Sequence, residues 1–112
     1  MEVKSNIWVE VDGEVALSRW RVSLLEAVQE TGSISKAAEK MGVSYHRAWD
    51  KIRECEERLG VKLLETQIGG SGGGGAKLTR AGQQYVERFK AFSAGIDSQI
   101  RQRFEAVFVE NS

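Results

Sequence analysis

The apolar positions of the chain change period several times, and each change marks an element. Ile7-Trp8-Val9-Glu10-Val11 is rich in β-branched and aromatic residues and ends at Asp12-Gly13. An Asp-Gly step accepts the backbone angles of a tight hairpin turn, so Glu14-Val15-Ala16-Leu17 reads as a short return strand. Between Arg19 and Thr31 the residues Trp20, Leu24, Leu25, Ala27 and Val28 form the stripe of an amphipathic helix, capped by Ser18 and stopped by Gly32. Ile34, Ala37, Ala38 and Met41 repeat that pattern between Ser33 and Gly42. Ala48, Ile52, Cys55 and Leu59 repeat it again between Ser44 and Gly60. The last two of these helices are joined only by Gly42-Val43-Ser44, which is the spacing of a helix-turn-helix.

Beyond Gly60, Val61 to Ile68 reads as a strand, and Ala76-Lys77-Leu78 pairs back onto it across the tip Gly69-Gly70-Ser71-Gly72-Gly73-Gly74-Gly75. Thr79 caps a last helix from Arg80, with its stripe at Ala81, Tyr85, Val86, Phe89, Phe92, Ile96, Ile100, Phe104, Val107 and Phe108. Such a helix runs about 43 Å at 1.5 Å per residue. Gly82 and Gly95 are expected to weaken it by about 1 kcal/mol each relative to alanine. The expected fold is mainly α with a small β component. A winged helix-turn-helix with an N-terminal hairpin and a wing at 61–79 occupies residues 1–80, and a long C-terminal helix occupies residues 80–110.

That helix outreaches the body that the first 80 residues can build. Its apolar face is larger than the few hundred Å² a monomer normally leaves bare. Homodimerisation through Phe89, Phe92, Ile96, Ile100, Phe104 and Phe108 is the expected remedy. A break at Gly95 that folds the helix back on its own body is the alternative.

Composition narrows the function classes. The 112 residues are 41% hydrophobic and 29% charged, as expected of a soluble globular domain with an appendage. No apolar run is long enough to span a bilayer. The polar residues after Met1 are not those of a secretory signal, which points to the cytoplasm. Cys55 is the single cysteine, so an internal disulfide and a zinc site built on cysteine pairs are both excluded. The absence of proline suits uninterrupted helices.

Sixteen Lys and Arg balance sixteen Asp and Glu, but unevenly along the chain. Residues 33–80 hold nine basic against six acidic side chains, whereas residues 1–32 hold three against six. The helix-turn-helix segment is therefore where an anionic partner is favoured.

In such a motif the N-terminal turn of the second helix enters the major groove. Ser44, Tyr45, His46 and Arg47 occupy that turn, with Asp50 and Lys51 one turn on. Arg47 has the forked donors that pair with a guanine edge, while Tyr45 and His46 reach bases or phosphates. Ser33, Ser35 and Lys36 open the preceding helix as candidate phosphate contacts, and Lys77 and Arg80 supply charge from the wing. Ser33 and Ser44 are helix caps first and contacts second. Tyr45 suits either the groove or the core edge, Trp49 reads as core, Cys55 as a small buried hydrophobe, and lone His46 has no ligand partner at metal spacing.

Catalysis finds no footing. No paired carboxylates, Ser-His-Asp set or metal cluster occurs, and one histidine restricts acid–base chemistry. The glycine run is followed by Ala76-Lys77-Leu78, not by the Gly-Lys-Ser/Thr of a phosphate-binding loop. No metal or cofactor is expected. A protein-interaction module that keeps the fold without specific DNA binding is the second reading, and near-zero net charge is its support.

The run Thr31-Gly32-Ser33-Ile34-Ser35-Lys36-Ala37-Ala38-Glu39-Lys40-Met41-Gly42-Val43-Ser44-Tyr45-His46-Arg47-Ala48-Trp49-Asp50 resembles the DNA-binding domain of the ModE-type, molybdate-responsive transcription regulators. The stretch from Gly69 to Gly82, with its glycine-rich wing and Leu78-Thr79-Arg80-Ala81 helix entry, resembles the same family. The likeness covers roughly residues 15–95, and more distantly the chain resembles LysR-type regulators. The resemblance implies a dimeric winged helix-turn-helix that binds double-stranded DNA at a palindromic operator, as repressor or activator. Full-length members continue into a molybdate-binding region with no counterpart in these 112 residues, so a partner protein, an effector in the dimer interface and constitutive binding are the alternatives for regulation.

Overall fold

The computed structural model describes residues 1–67 and 75–109. In chain order it contains β1 (Trp8–Val11), β2 (Glu14–Ser18), α1 (Arg19–Thr31), α2 (Ile34–Met41), α3 (Tyr45–Leu59), β3 (Leu64–Gln67), β4 (Gly75–Leu78) and α4 (Arg80–Phe108). Ile68 and the expected glycine tip over 69–74 lie outside the described residues.

Local chemistry sets the boundaries. Asp12 and Gly13 both take positive φ, 52° and 80°, which closes an antiparallel β1–β2 hairpin with Val11 opposite Glu14. Ser18, Ser33, Ser44 and Thr79 each hold an extended backbone and accept the N–H three residues on, from Arg21, Lys36, Arg47 and Gly82. Each cap contributes about 1 kcal/mol by satisfying a donor the helix itself leaves free. Gly42, at φ 72°, allows the reversal between α2 and α3 that only glycine makes without strain.

One core joins these elements. Leu24, Leu25 and Val28 of α1 meet Ala37 and Ala38 of α2, Ala48, Ile52 and Cys55 of α3, Leu63, Leu64 and Leu78 at the wing base, and Val86 and Phe89 of α4. Two expectations need correction. Trp20 is only partly buried, and Arg21 beside it is buried instead, at 8% exposure. Phe89, expected in a dimer face, lies in this core because α4 still runs against the body there. A Phe89 side chain packed inside its own chain is not available to a second copy.

The wing is a two-stranded antiparallel sheet with Leu64 opposite Leu78 and Glu65 opposite Lys77. β3 begins at Leu64, not at Val61. The Glu56 carboxylate of α3 accepts the N–H groups of Leu63 and Leu64 at 2.8 and 3.2 Å, so the chain leaving α3 is tied to that helix before it can join a ladder. The wing is also fastened to α1, since Ala76 N–H donates to the Gly32 carbonyl at 2.9 Å and Leu78 N–H to Gln29 at 2.9 Å.

α4 continues unbroken through Gly95 and gives the molecule a long axis of 65 Å. The two glycines of α4 are not equivalent, contrary to the sequence reading. A Cβ at Gly82 would collide with the Leu63 carbonyl oxygen, whereas one at Gly95 would meet nothing within 4 Å. Gly82 is therefore the price of close helix–wing packing, and only Gly95 is a plain loss of helix propensity. Gly82→Ala should destabilise the protein by about 2 kcal/mol through overpacking, and Gly95→Ala should stabilise it by about 0.5–1 kcal/mol. Thermal melts of the two variants check this, and shifts of the same sign would contradict it.

Candidate nucleic-acid interface

A helix of 3.6 residues per turn cannot bury all its sides in so small a body. α3 buries Ala48, Ile52 and Cys55 and exposes Tyr45, His46, Arg47, Asp50, Arg53 and Glu57. Its N-terminal turn thus projects Tyr45, His46 and Arg47 to solvent around a capped and partly positive helix end. Ser44 Oγ accepts the Arg47 N–H at 3.1 Å, and Ser33 Oγ accepts the Lys36 N–H at 3.0 Å. Accepting leaves each hydroxyl its own proton, so one Ser side chain can cap its helix and still donate to a phosphate.

These two helix starts and the wing enclose one groove of about 370 Å³, lined by Ser33, Ser35, Tyr45, Trp49, Thr66 and Gln67 among others. Trp49 packs partly against the core and also forms this wall. Thr66 and Gln67 escaped the sequence reading. Their signal was available: they are consecutive polar residues at the end of a strand leading to a glycine run, where a wing faces outward.

Other expected site residues separate by their partners. His46 Nε2 lies 3.5 Å from Asp50 on the outer face of α3, and Arg53 lies 3.7 Å from Glu57 one turn further. Arg53, not singled out in the sequence, therefore shares the face of His46 and Asp50. Lys77 is exposed, with Nζ 3.8 Å from its cross-strand neighbour Glu65. Lys36, Arg47 and Arg80 are exposed and make no ion pair among the described residues. Lys51 is a correction. It sits on the flank of α3 toward α1, its Nζ 3.5 Å from Glu54 and its carbonyl accepting from Arg21 at 3.2 Å, so it lies beside the exposed face and is engaged within the body.

That flank holds the charges that orient α3. The buried Arg21 donates to Glu54 Oε1 at 2.8 Å, and Arg58 reaches the same carboxylate at 3.5 Å. Arg58 also donates to the Val15 carbonyl at 2.7 Å and to Glu14 at 3.1 Å. Glu54 thereby ties α3 to α1, and Arg58 ties it to the hairpin. The Arg21 hydrogen bond holds the Glu54 carboxyl below its ordinary range, against burial and with help from Lys51 and Arg58. Burial pushes the Cys55 thiol up, although the Arg21 hydrogen bond opposes it. Among the described residues, no helix is long and apolar enough to cross a membrane.

With this geometry in place, the family model for bacterial regulatory helix-turn-helix proteins of the lysR family matches residues 21–83, from α1 to the first turn of α4. The chain belongs to that family. Its sequence is similar to the molybdenum-pterin-binding protein MopB of Rhodobacter capsulatus, 42% identical over 76 residues that make up 68% of this chain and 28% of MopB. It is also similar to the DNA-binding transcriptional dual regulator ModE of Escherichia coli (strain K12), 45% identical over 69 residues, or 62% of this chain and 26% of that protein. The chain spans about a quarter of the length of the curated relatives it matches. The crystal structure of the CbnR DBD–DNA complex superposes with a TM-score of 0.58 at 30% identity, covering 77% of this chain and 94% of the other. The likeness to ModE-type proteins and the winged-helix fold follow from these matches.

Glu54 gives this lysR-type domain a pH dependence of known sign. A carboxyl whose folded pKa lies below its unfolded value near 4.5 contributes stability that is complete above that value and lost as pH falls through the folded pKa. Glu54→Gln should cost about 1–2 kcal/mol at neutral pH, discounted for partial exposure, and should flatten the acid limb of the stability curve. Denaturant unfolding between pH 7 and pH 3 measures both. An unchanged acid limb would count against the role given to Glu54.

Proposed function

We propose that the protein is a homodimeric regulator that binds a palindromic operator in double-stranded DNA. One observation carries this reading: the N-terminal turn of α3, the N-terminus of α2 and the wing open onto a single groove, while the far half of α4 carries an uncovered apolar face. Phe92, Val107 and Phe108 are 52%, 66% and 61% exposed, and Ile96, Ile100 and Phe104 are partly exposed along the same helix. Residues 1–80 are the DNA-reading body and residues 80–110 the dimerisation helix.

Arg47 reads a base edge, with Tyr45 and His46 beside it and Asp50 limiting which base is accepted. Ser33, Ser35, Lys36 and Ser44 seat phosphates, as do Lys77 and Arg80 from the wing side. Lys51 supports the position of α3 from the flank through Glu54. Two copies joined through Phe92, Ile96, Ile100, Phe104 and Phe108 form an isologous pair, and a two-fold protein reads an inverted repeat. Such a regulator works in the cytoplasm, where the DNA is. The relatives carrying molybdenum in their names make molybdate-linked genes the first targets to test.

Selection of bound sites from random duplexes is the direct experiment, and two inverted half-sites are the expected product. Arg47→Ala should weaken specific binding by about 1–3 kcal/mol and relax preference at one position, while Lys77→Ala should weaken all sequences alike and lower the salt slope by about one. An equal effect of Arg47→Ala on specific and scrambled DNA would remove Arg47 from base reading. Affinity that ignores salt, or none at all, would favour the interaction module that the zero net charge suggests.

Phe104→Asp should convert the dimer to a monomer. Light scattering reads the mass, and an unchanged value would refute the α4 interface.

A further inference from the structure

Past Phe89 the long helix parts from the core, and among the described residues the polar ties that hold it to the body are made by Lys90 and Asp97. Lys90 Nζ lies 2.7 Å from Glu26 of α1. Asp97, nearly two turns further, takes both ends of the Arg19 guanidinium at 2.9 and 3.0 Å and the Ser5 hydroxyl at 3.2 Å. Arg19 is the first residue of α1 and Ser5 belongs to the segment before β1. Asp97 is therefore the outermost hydrogen-bonded tie between α4 and the rest of the chain.

The helix between these ties is its most pliant stretch. Ser93 Oγ donates to the Lys90 carbonyl at 3.2 Å, a back-bond that loosens a helical turn. Gly95 follows, exposed and in open space. Small polar residues and glycines in one turn are where long helices bend. The Arg19–Asp97 pair bridges this turn, with the guanidinium on the body side and the carboxylate on the distal side. Its fork geometry resists rotation as well as separation, which a single hydrogen bond does not.

We propose that Arg19 and Asp97 determine the half-site spacing that the dimer accepts, by locking the reading body to the dimerisation helix across the Ser93–Gly95 turn. The inference rests on the homodimeric reading above and adds a specificity role to residues that touch no DNA. The lever is long. A bend of about 10° acting through a lever of the order of the molecule's 29 Å breadth displaces its far end by roughly 5 Å, more than the rise of about 3.4 Å per base pair. An unlocked dimer can then follow half-sites that a locked one cannot reach together.

The test uses the full chain and duplexes carrying two fixed half-sites, with the spacer changed one base pair at a time. Two base pairs turn the second half-site by roughly 70° about the duplex. Wild-type affinity is expected to fall at least about tenfold at that offset, from the loss of one half-site. Asp97→Asn should keep the optimum affinity within about twofold and keep the dimer mass, yet lose less than about threefold at the same offset. Adding Gly95→Ala to Asp97→Asn should stiffen the turn and sharpen the profile again, read as the ratio of affinities at the two spacings, because the general gain in stability from Gly95→Ala raises both alike. An Asp97→Asn profile identical to wild type, or lowered equally at every spacing, overturns the spacing role and leaves the dimer standing. A wild-type protein that occupies single half-sites as a monomer overturns both.

Discussion

The salt bridge between Arg21 and Glu54 is the constraint on which the rest of the body depends. The fully buried face that α3 offers to the core is narrow, made of Ala48, Ile52 and Cys55 with Ile52 its one large side chain, and so narrow a face leaves a helix free to roll about its axis. A bulky apolar residue at position 21 would fill the same space without fixing that roll. A buried guanidinium with a carboxylate, a backbone carbonyl and a thiol as partners has few orientations that leave no donor stranded, and a stranded buried charge is costly. Burial alone would lower the Arg21 pKa, but its hydrogen bonds to Cys55 and Glu54 outweigh that and keep it charged. The roll of α3, and with it the direction in which Tyr45, His46 and Arg47 project, follows from where Glu54 must stand.

Sequence legibility followed the kind of force involved. Local signals were strong: hydroxyl caps and glycine stops reproduced α1 to α3 and the start of α4 as the structure has them, and Asp12-Gly13 the first hairpin. Signals that depend on a distant partner were weaker. Arg21 lies three, four and seven residues before Leu24, Leu25 and Val28, squarely on the buried stripe, and its charge hid that position. Lys51 was misplaced because sequence distance from Arg47 carries no information about Glu54 and Arg21 closing over its flank. Gly82 looked like a weakness because the Leu63 carbonyl it accommodates is supplied by the wing. The groove residues Thr66 and Gln67 became visible only once the wing folded beside α2 and α3.

The two ends of α4 answer to different environments, and the change is abrupt. Gly82, Val86 and Phe89 are buried, whereas Phe92, one turn later, is half exposed. An uninterrupted apolar stripe therefore says only that some surface is covered, by the same chain or by another. The Phe104 and Phe108 rings stack on each other at 5.2 Å between centroids, which shelters part of each ring but leaves most of Phe108 bare. Along Phe92, Ile96, Ile100, Phe104 and Phe108 the steps are strictly four residues, so the exposed ridge winds slowly around the helix. Ridges of that kind interlock at an inclined crossing more readily than side by side.

A neutral chain meets a polyanion by segregating charge, and the structure indicates how. Many cations are engaged within the fold: Arg19 with Asp97, Arg21 with Glu54, Lys40 with Glu30, Arg58 with Glu14 and Lys90 with Glu26. These pairs cancel at short range and contribute little field at a distance. Among the described residues, the exposed Lys36 at the start of α2, Arg47 at the start of α3 and Arg80 at the start of α4 make no ion pair. Each therefore adds its charge to the positive end of a helix dipole. The arrangement is unfavourable for helix stability, since cations are better placed at the opposite end, and the serine and threonine caps compensate for it locally. Charge set against the preference of its own helix at three separate N-termini does nothing for folding, and it supports the proposed use of this face as a seat for phosphates.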